Sequence, residues 1–445
     1  MSLLTAHSRL IALLGESGSL RGRLIRGGAG SAIIQALNRL IALVVGIALA
    51  RGLGAEGYGV YAYAFALMSV LMVPAELGMP VLLVREVAAS AARADWAYVR
   101  GICIRSTQIV LAASTTISLI AAFLVWQFGE SIPSDQRQTL LLVLLLLPLS
   151  VLSKAFASAL HGLQHVVIGQ AVEALLRPTL VLLGVLVLFA AAPVMRLPQY
   201  AMAVQVVVAV AVLFISLLLL IRYLPNAART TKARHRTREW LANAIPFTLI
   251  GGAGIINNQV DILMLGYFRP PEDVGIYRVA VQGSVLVAFG LQAVTAVVAP
   301  QFARLYAQGD MARLQRLITI SARVVFITAL PVVLIFVLAG GTIAGRVFGP
   351  EFVASHYPLA ILAVGQLVNT MFGPVGALLQ MVGYENITAR MIIITALLNI
   401  PLNALLILFY GATGAAMATA ICVGLLHLLL FFIARKRLGL RALPI

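Results

Sequence analysis

The sequence is 445 residues long, 61% apolar and only 11% charged, with a mean hydropathy of +1.02. Soluble domains carry roughly 25% charged residues and just under half apolar ones, so no soluble core absorbs this composition; a bilayer does, and the length divides into helices rather than globular domains. The net charge of +17 would suggest nucleic acid in a soluble protein, but the positions of the charges account for it without such a partner.

Residues 1–30 place Arg9, Arg21, Arg23 and Arg26 around a short apolar patch. With no long apolar core leading to a small-residue cleavage site, this does not make a convincing signal peptide. It reads as a cytoplasmic segment, either amphipathic on the membrane surface or disordered. Apolar stretches of spanning length follow at approximately 31–50, 58–84, 102–128, 138–160, 166–191 and 199–222, then at 241–268, 274–299, 317–338, 357–382, 386–410 and 412–434. The expected fold is therefore all-α and integral to the membrane, with twelve transmembrane helices. Cys103 and Cys422 both fall in apolar stretches, at a spacing that suits neither a metal motif nor a disulfide framework.

Cytoplasmic loops retain Lys and Arg, which orients the chain. With the N-terminus inside, 24 of the 32 basic residues fall on inside segments, while outside loops hold only Arg51, Arg137, Arg196, Arg269 and Arg346. An eleven- or thirteen-helix count destroys that alternation. The densest basic run, Arg222 to Arg238, lies between the sixth and seventh spans. It reads as a linker at 223–240 joining two six-helix bundles, 31–222 and 241–434, with a cytoplasmic tail at 435–445.

The halves share a pattern. Glu56, Gly59, Val60, Tyr61 and Ala64 correspond to Glu272, Gly275, Ile276, Tyr277 and Ala280 at a constant offset, and Gly162 and Pro178 match Gly383 and Pro401 at slightly larger ones. Two repeats with an even helix number are parallel, and transporters built this way hold substrate between the halves near the midplane.

Charges inside the spans mark candidate sites. Arg39 sits near the middle of the first span, too deep to snorkel easily. Ser31, Gln35, Asn38 and Arg39 recur at spacings that put a polar stripe on one helix face; such a stripe lines an aqueous cavity, or else Arg39 ties helices together. Arg278 lies close enough to the start of the eighth span to snorkel outward. Asp261 and Arg278 are equidistant from the turn at Arg269-Pro270, which suggests an ion pair serving as a staple or as a latch opened by substrate phosphate. Asn257, Asn258 and Asp261 form a polar patch on the seventh span that the first half replaces by Ile41, Ala42 and Val45. Glu173 and Arg177 have the spacing and order of an intrahelical ion pair, with substrate binding or proton coupling as the alternative. Glu76 lies between Pro74 and Pro80, which remove backbone donors and should distort the second span, a place for gating.

The run Arg51-Gly-Leu-Gly-Ala-Glu-Gly-Tyr-Gly-Val-Tyr61, then Glu76-Leu-Gly78, Arg85-Glu86, and Asp261-Ile-Leu-Met-Leu-Gly-Tyr-Phe268 leading into Val274-Gly-Ile-Tyr277 resembles the polysaccharide, or O-antigen, flippases of the multidrug/oligosaccharidyl-lipid/polysaccharide exporter superfamily. The resemblance implies a V-shaped pair of bundles. It implies a multi-pass protein of the inner (plasma) membrane that alternates between inward and outward openings. The cargo it implies is a polyprenyl-diphosphate-linked oligosaccharide, moved from the cytoplasmic to the periplasmic leaflet for cell-surface polysaccharide biosynthesis. Related lipid II flippases place arginines on the first and eighth helices in a cationic cavity, and Arg39 and Arg278 lie on those helices here. Guanidinium suits the diphosphate, with Gln35, Asn38, Asn257, Asn258 and Arg177 as further substrate-binding candidates and Asp261, Glu173 and Glu76 as candidates for ion coupling or gating.

No metal or cofactor is expected beyond Na+ or H+ as a coupling ion, and the chain is expected to be a monomer. Its partners are the bilayer, the lipid-linked glycan, and a glycan polymerase and export machinery. The alternative is a cation-coupled multidrug exporter of the same superfamily. A membrane glycan polymerase or ligase ranks lower, because such enzymes need catalytic groups in sizeable outer loops, and these loops are short.

Overall fold

In the computed structural model residues 20–440 are described, and every regular element among them is helical. In chain order these are α1 (Leu20–Glu76), α2 (Met79–Ala92), α3 (Trp96–Phe128), α4 (Ser134–Gly162), α5 (Val166–Ala191), α6 (Pro198–Tyr223), α7 (Asn226–Thr230), α8 (Thr237–Phe268), α9 (Pro271–Ala307), α10 (Met311–Val347), α11 (His356–Met371), α12 (Val375–Met381) and α13 (Glu385–Leu438). Much of the N-terminal surface segment, residues 1–19, and the end of the tail, 441–445, lie outside the described residues. From Leu20 the backbone is helical and runs without interruption into the first span.

Among the described residues nine helices are long and apolar enough to cross a membrane, or ten if the two pieces of α8, 237–249 and 254–268, are taken as one span. Two of the nine are internally broken. Gly54 in α1 (φ 70°) and Gly411 in α13 (φ 55°) leave helical geometry, in a left-handed region that only glycine enters without a steric penalty. Both fall where the sequence separates adjacent apolar stretches.

The second span is broken as its prolines suggest. α1 ends at Glu76, Leu77 and Gly78 have positive φ, and α2 restarts with Pro80 in its first turn, where a missing N–H costs nothing. α5 carries a π-helical turn at Val172–Leu176 immediately before Pro178. The predicted tenth span is likewise two helices, α11 and α12, parted at Gly373 (φ 56°).

By backbone proximity the chain forms two compact units. The first comprises residues 20–45, 71–195 and 199–251, and α4 is its centre. α4 buries Val143, Leu144, Leu146, Leu147 and Val151, whereas α3 exposes Leu119, Ile120 and Phe123, as lipid-facing helices do. The basic run Arg222 to Arg238 is strapped to this unit. Arg234 N–H donates to Ala97 O (3.0 Å), Arg100 Nη1 to Thr231 O (2.8 Å), and the buried Trp240 donates Nε1–H to Tyr98 Oη (2.6 Å), which donates to Glu86 (3.0 Å). The basic run is therefore an ordered part of this unit.

The second unit comprises 46–70, 196–198 and 252–440. Its core joins Ala62 and Ala66 to Leu265, Tyr277, Ala280, Val333, Phe336, Leu362 and Ala415. The stretch 46–70 is held there by reciprocal capping. Arg51 donates Nε–H to Val347 O (2.7 Å) and a second guanidinium N–H to Arg346 O at the end of α10, while Glu351 Oε2 accepts from Ala55 N–H (2.6 Å), satisfying the helix that restarts after Gly54. Gly59 and Gly275 bring two backbones into contact: a Cβ on Gly275 would lie 3.0 Å from Ala55 C and 3.2 Å from Gly59 N.

Candidate functional site

The candidate site residues occupy five places. In the second unit, Asp261 projects from α8 into a buried polar cluster that α9 and α13 complete. Tyr277 Oη donates to its Oδ2 (2.8 Å) and Thr419 Oγ1 to the same oxygen (2.6 Å), while Asn399 and Asn403 Nδ2 both donate to Oδ1 (2.9 Å each). Asp261 is 7% exposed and Asn403 fully buried. Hydrogen bonds to a charged group contribute about 1.5–3 kcal/mol each, so four donors fix this side chain in one orientation. Among the described residues the Oδ1 of Asn403 has no partner, which leaves an acceptor beside a carboxylate.

The cluster opens on a cavity of about 240 Å³ lined by Asn257, Asn258, Asp261, Ser284, Gln366 and Asn399. Asn257 and Asn258 thus share a cavity with Asp261. The Asp261/Arg278 ion pair does not form: among the described residues no basic side chain reaches the carboxylate. Tyr277, one residue earlier on α9, points at α8, and the next residue is turned about 100° around the helix. Arg278 is half-buried beside the Tyr58 hydroxyl, which itself donates to Gln282 Oε1 (3.3 Å). It is the eighth residue of α9, deeper than the span boundary suggested.

The first unit holds two clusters and the stripe on α1. Glu173 and Arg177 pair across the π turn (3.5 Å), as their spacing predicts. Arg177 Nη2 also donates to Ser150 Oγ (2.7 Å), Ser153 donates to Glu173, and Ser153 lies 3.3 Å from Ser216. Glu76 is ion-paired with Lys154 of α4 (2.7 Å) at the break between α1 and α2. On α1, Gln35 is exposed and donates to Ser31 Oγ (3.4 Å), Asn38 is half-buried, and Arg39 is exposed with no hydrogen bond or ion pair to any described residue.

Sequence reasoning missed four of the groups around Asp261 and the partner of Glu76. Asn399 and Asn403, one turn apart in an otherwise aliphatic stretch and flanking Pro401, carry the same signal that picked out Gln35 and Arg39. Thr419 carries none; Tyr277 belongs to the repeat and Lys154 is a charge in an apolar stretch, but nothing in the sequence pairs them with Asp261 and Glu76, since only the packing of separate helices does so.

With this geometry in hand, a family model described as polysaccharide biosynthesis protein matches residues 24–306. The chain belongs to that family. A second model, MatE, matches residues 255–405. Two curated proteins of Haloferax volcanii align with part of the chain. The "Probable low-salt glycan biosynthesis flippase Agl15" is 29% identical over 168 residues, 38% of this chain and 36% of that one, and the "Probable flippase AglR" is 29% identical over 169 residues, 37% and 35% respectively. The chain thus spans about a third of the length of these relatives. Among solved structures, an inward-facing multidrug resistance MATE family transporter of the MOP superfamily superposes with a TM-score of 0.74 at 14% identity, covering 90% of this chain and 94% of that one. The lipid II flippase MurJ superposes at 0.70 and 14% identity, covering 91% and 87%. With nine long apolar helices among the described residues the chain is a multi-pass membrane protein, and its fold matches those two transporters, so the resemblance to the polysaccharide flippases carried by the motifs around Gly59 and Asp261 is borne out.

Proposed function

We propose that this protein flips a polyprenyl-diphosphate-linked oligosaccharide from the cytoplasmic to the outer leaflet of the inner membrane by alternating access, with the glycan destined for cell-surface polysaccharide. Membership of the polysaccharide biosynthesis family carries the reading. Counting α1 and α13 each as two spans at Gly54 and Gly411, and α8 as one bent span, gives twelve, organised as bundles 31–222 and 241–434 with the linker between them.

Arg39 is the principal phosphate ligand in this reading. An unpartnered guanidinium in a spanning helix is costly in lipid and matches a diphosphate oxygen pair. Gln35 and Asn38 offer hydrogen bonds to sugar on the same face, and Arg278 supplies a second cation. Arg177, tied to Glu173 and Ser150, holds α4 and α5 together. Asp261 is the coupling group. An asparagine presents oxygen instead of nitrogen by turning over its amide, so Asn399 and Asn403 can exchange donors for acceptors when Na+ or H+ arrives at the carboxylate.

A cation-coupled drug exporter is the second reading, favoured by the MatE match over 255–405. The two part at Arg39. In cells whose surface glycan depends on this protein, Arg39→Ala at normal expression is expected to cut export at least tenfold and Arg39→Lys less, because lysine keeps the charge and loses the fork. Export unchanged in Arg39→Ala would refute the assignment.

A further inference from the structure

A second pocket opens at the end of the second unit, where the turn at 269–271, the start of α11 at 354–358 and the break in α13 at 409–413 converge. The Lys and Arg distribution assigns all three to the outside. The pocket measures about 350 Å³, at the lower end of the roughly 300–1,000 Å³ typical of ligand sites and enough for a monosaccharide unit. Arg269 and Asp273 supply its charges, Phe409 and Tyr410 its rings.

Arg269 is already placed. Its Nε donates to Ile407 O (3.2 Å) and its Nη2 to Leu408 O (3.1 Å), capping the helix that ends at Gly411 and leaving Nη1 unused. The Asp273 carboxylate is half-buried and accepts no hydrogen bond from any described residue. Gly411 keeps the space open, for a Cβ there would stand 2.9 Å from Asp273 Oδ2. A half-buried carboxylate with idle lone pairs is free to accept from hydroxyl or amide donors outside the protein.

The charges choose the ligand class. The guanidinium disfavours a metal cation at the carboxylate, and the carboxylate disfavours an anion at the guanidinium; a neutral polyhydroxylated molecule satisfies both. The rings of Phe409 and Tyr410, 70% and 59% exposed, offer faces to the C–H side of a sugar. We propose that this pocket binds a neutral pyranose unit on the outer face, as a landing subsite for the glycan after it crosses. The identity of the ligand as part of the cargo rests on the flippase reading; the binding of sugar does not.

The test uses the purified full-length protein and saturation-transfer NMR with methyl glucoside, galactoside, mannoside and N-acetylglucosaminide. At least one is expected to receive saturation, with Asp273→Asn and Tyr410→Ala each weakening binding at least fivefold at unchanged thermal midpoint. No transfer to any member, or equal binding in both variants, would overturn the subsite. Flipping of a lipid-linked glycan by a protein that binds no glycoside sinks the subsite alone. Glycoside binding without flipping leaves the subsite standing and sinks the transport reading.

Discussion

Asp261→Ala is expected to lower the stability of the purified protein by about 2–4 kcal/mol and to abolish gradient-driven transport. The change deletes the acceptor for four donors, and each buried donor left unpaired costs about 1–3 kcal/mol. The loss stops short of the full total because Tyr277 Oη and Thr419 Oγ1 remain 3.2 Å apart and Asn403 Nδ2 stays 3.0 Å from Asn399 Oδ1, so two pairs re-form. Losing a buried charge also relieves its desolvation cost. Asp261→Asn separates stability from coupling. It keeps the volume and half the acceptor, so it should cost clearly less in thermal midpoint while removing any response of transport to Na+ or proton gradients. An Asp261→Asn protein that still follows those gradients would refute coupling at this residue.

Gly275→Val is expected to be among the most damaging glycine substitutions in the second unit. The new Cβ would meet the backbone at Ala55 and Gly59, and the reciprocal change at Gly59 would put a Cβ 2.6 Å from Pro271 C and 3.0 Å from Gly275 N. Side chains repack, but two helix backbones in contact do not, so the cost should exceed the roughly 1–3 kcal/mol of ordinary overpacking. Gly254→Ala is the control, because nothing lies within 4 Å of its Cβ position. The expected outcome is a collapse of the monodisperse fraction of Gly275→Val by fluorescence size-exclusion with Gly254→Ala unaffected; equal yields of the two would contradict the contact.

Those two glycines show what the sequence carries and what it does not. Their equivalence was legible as a repeat, because helix starts of the same geometry reuse Glu-x-x-Gly. That the repeat-related motifs pack against each other was not, since a repeat says which residues are alike and not which touch. Span boundaries were legible where a glycine must take positive φ, as at Gly54 and Gly411. They were blurred where a span breaks internally, as at Gly78 and Gly373, because hydropathy continues across the break. In the candidate site, Glu173 and Arg177 were readable together because one helix sets their distance. Asp261 was readable alone, yet its hairpin symmetry with Arg278 pointed to the wrong partner: depth is shared between antiparallel helices, but azimuth decides contact, and azimuth gave the place to Tyr277.

The most direct test of the whole account is outward flipping in proteoliposomes. The purified protein is reconstituted with a lipid-linked oligosaccharide labelled on its glycan, and a membrane-impermeant glycosidase reports the label that reaches the external leaflet. The account predicts protein-dependent exposure of the glycan, lost in Arg39→Ala, with no accumulation or efflux of a hydrophobic cation such as ethidium in parallel vesicles. Ethidium transport without glycan exposure would contradict it and make the protein a drug exporter.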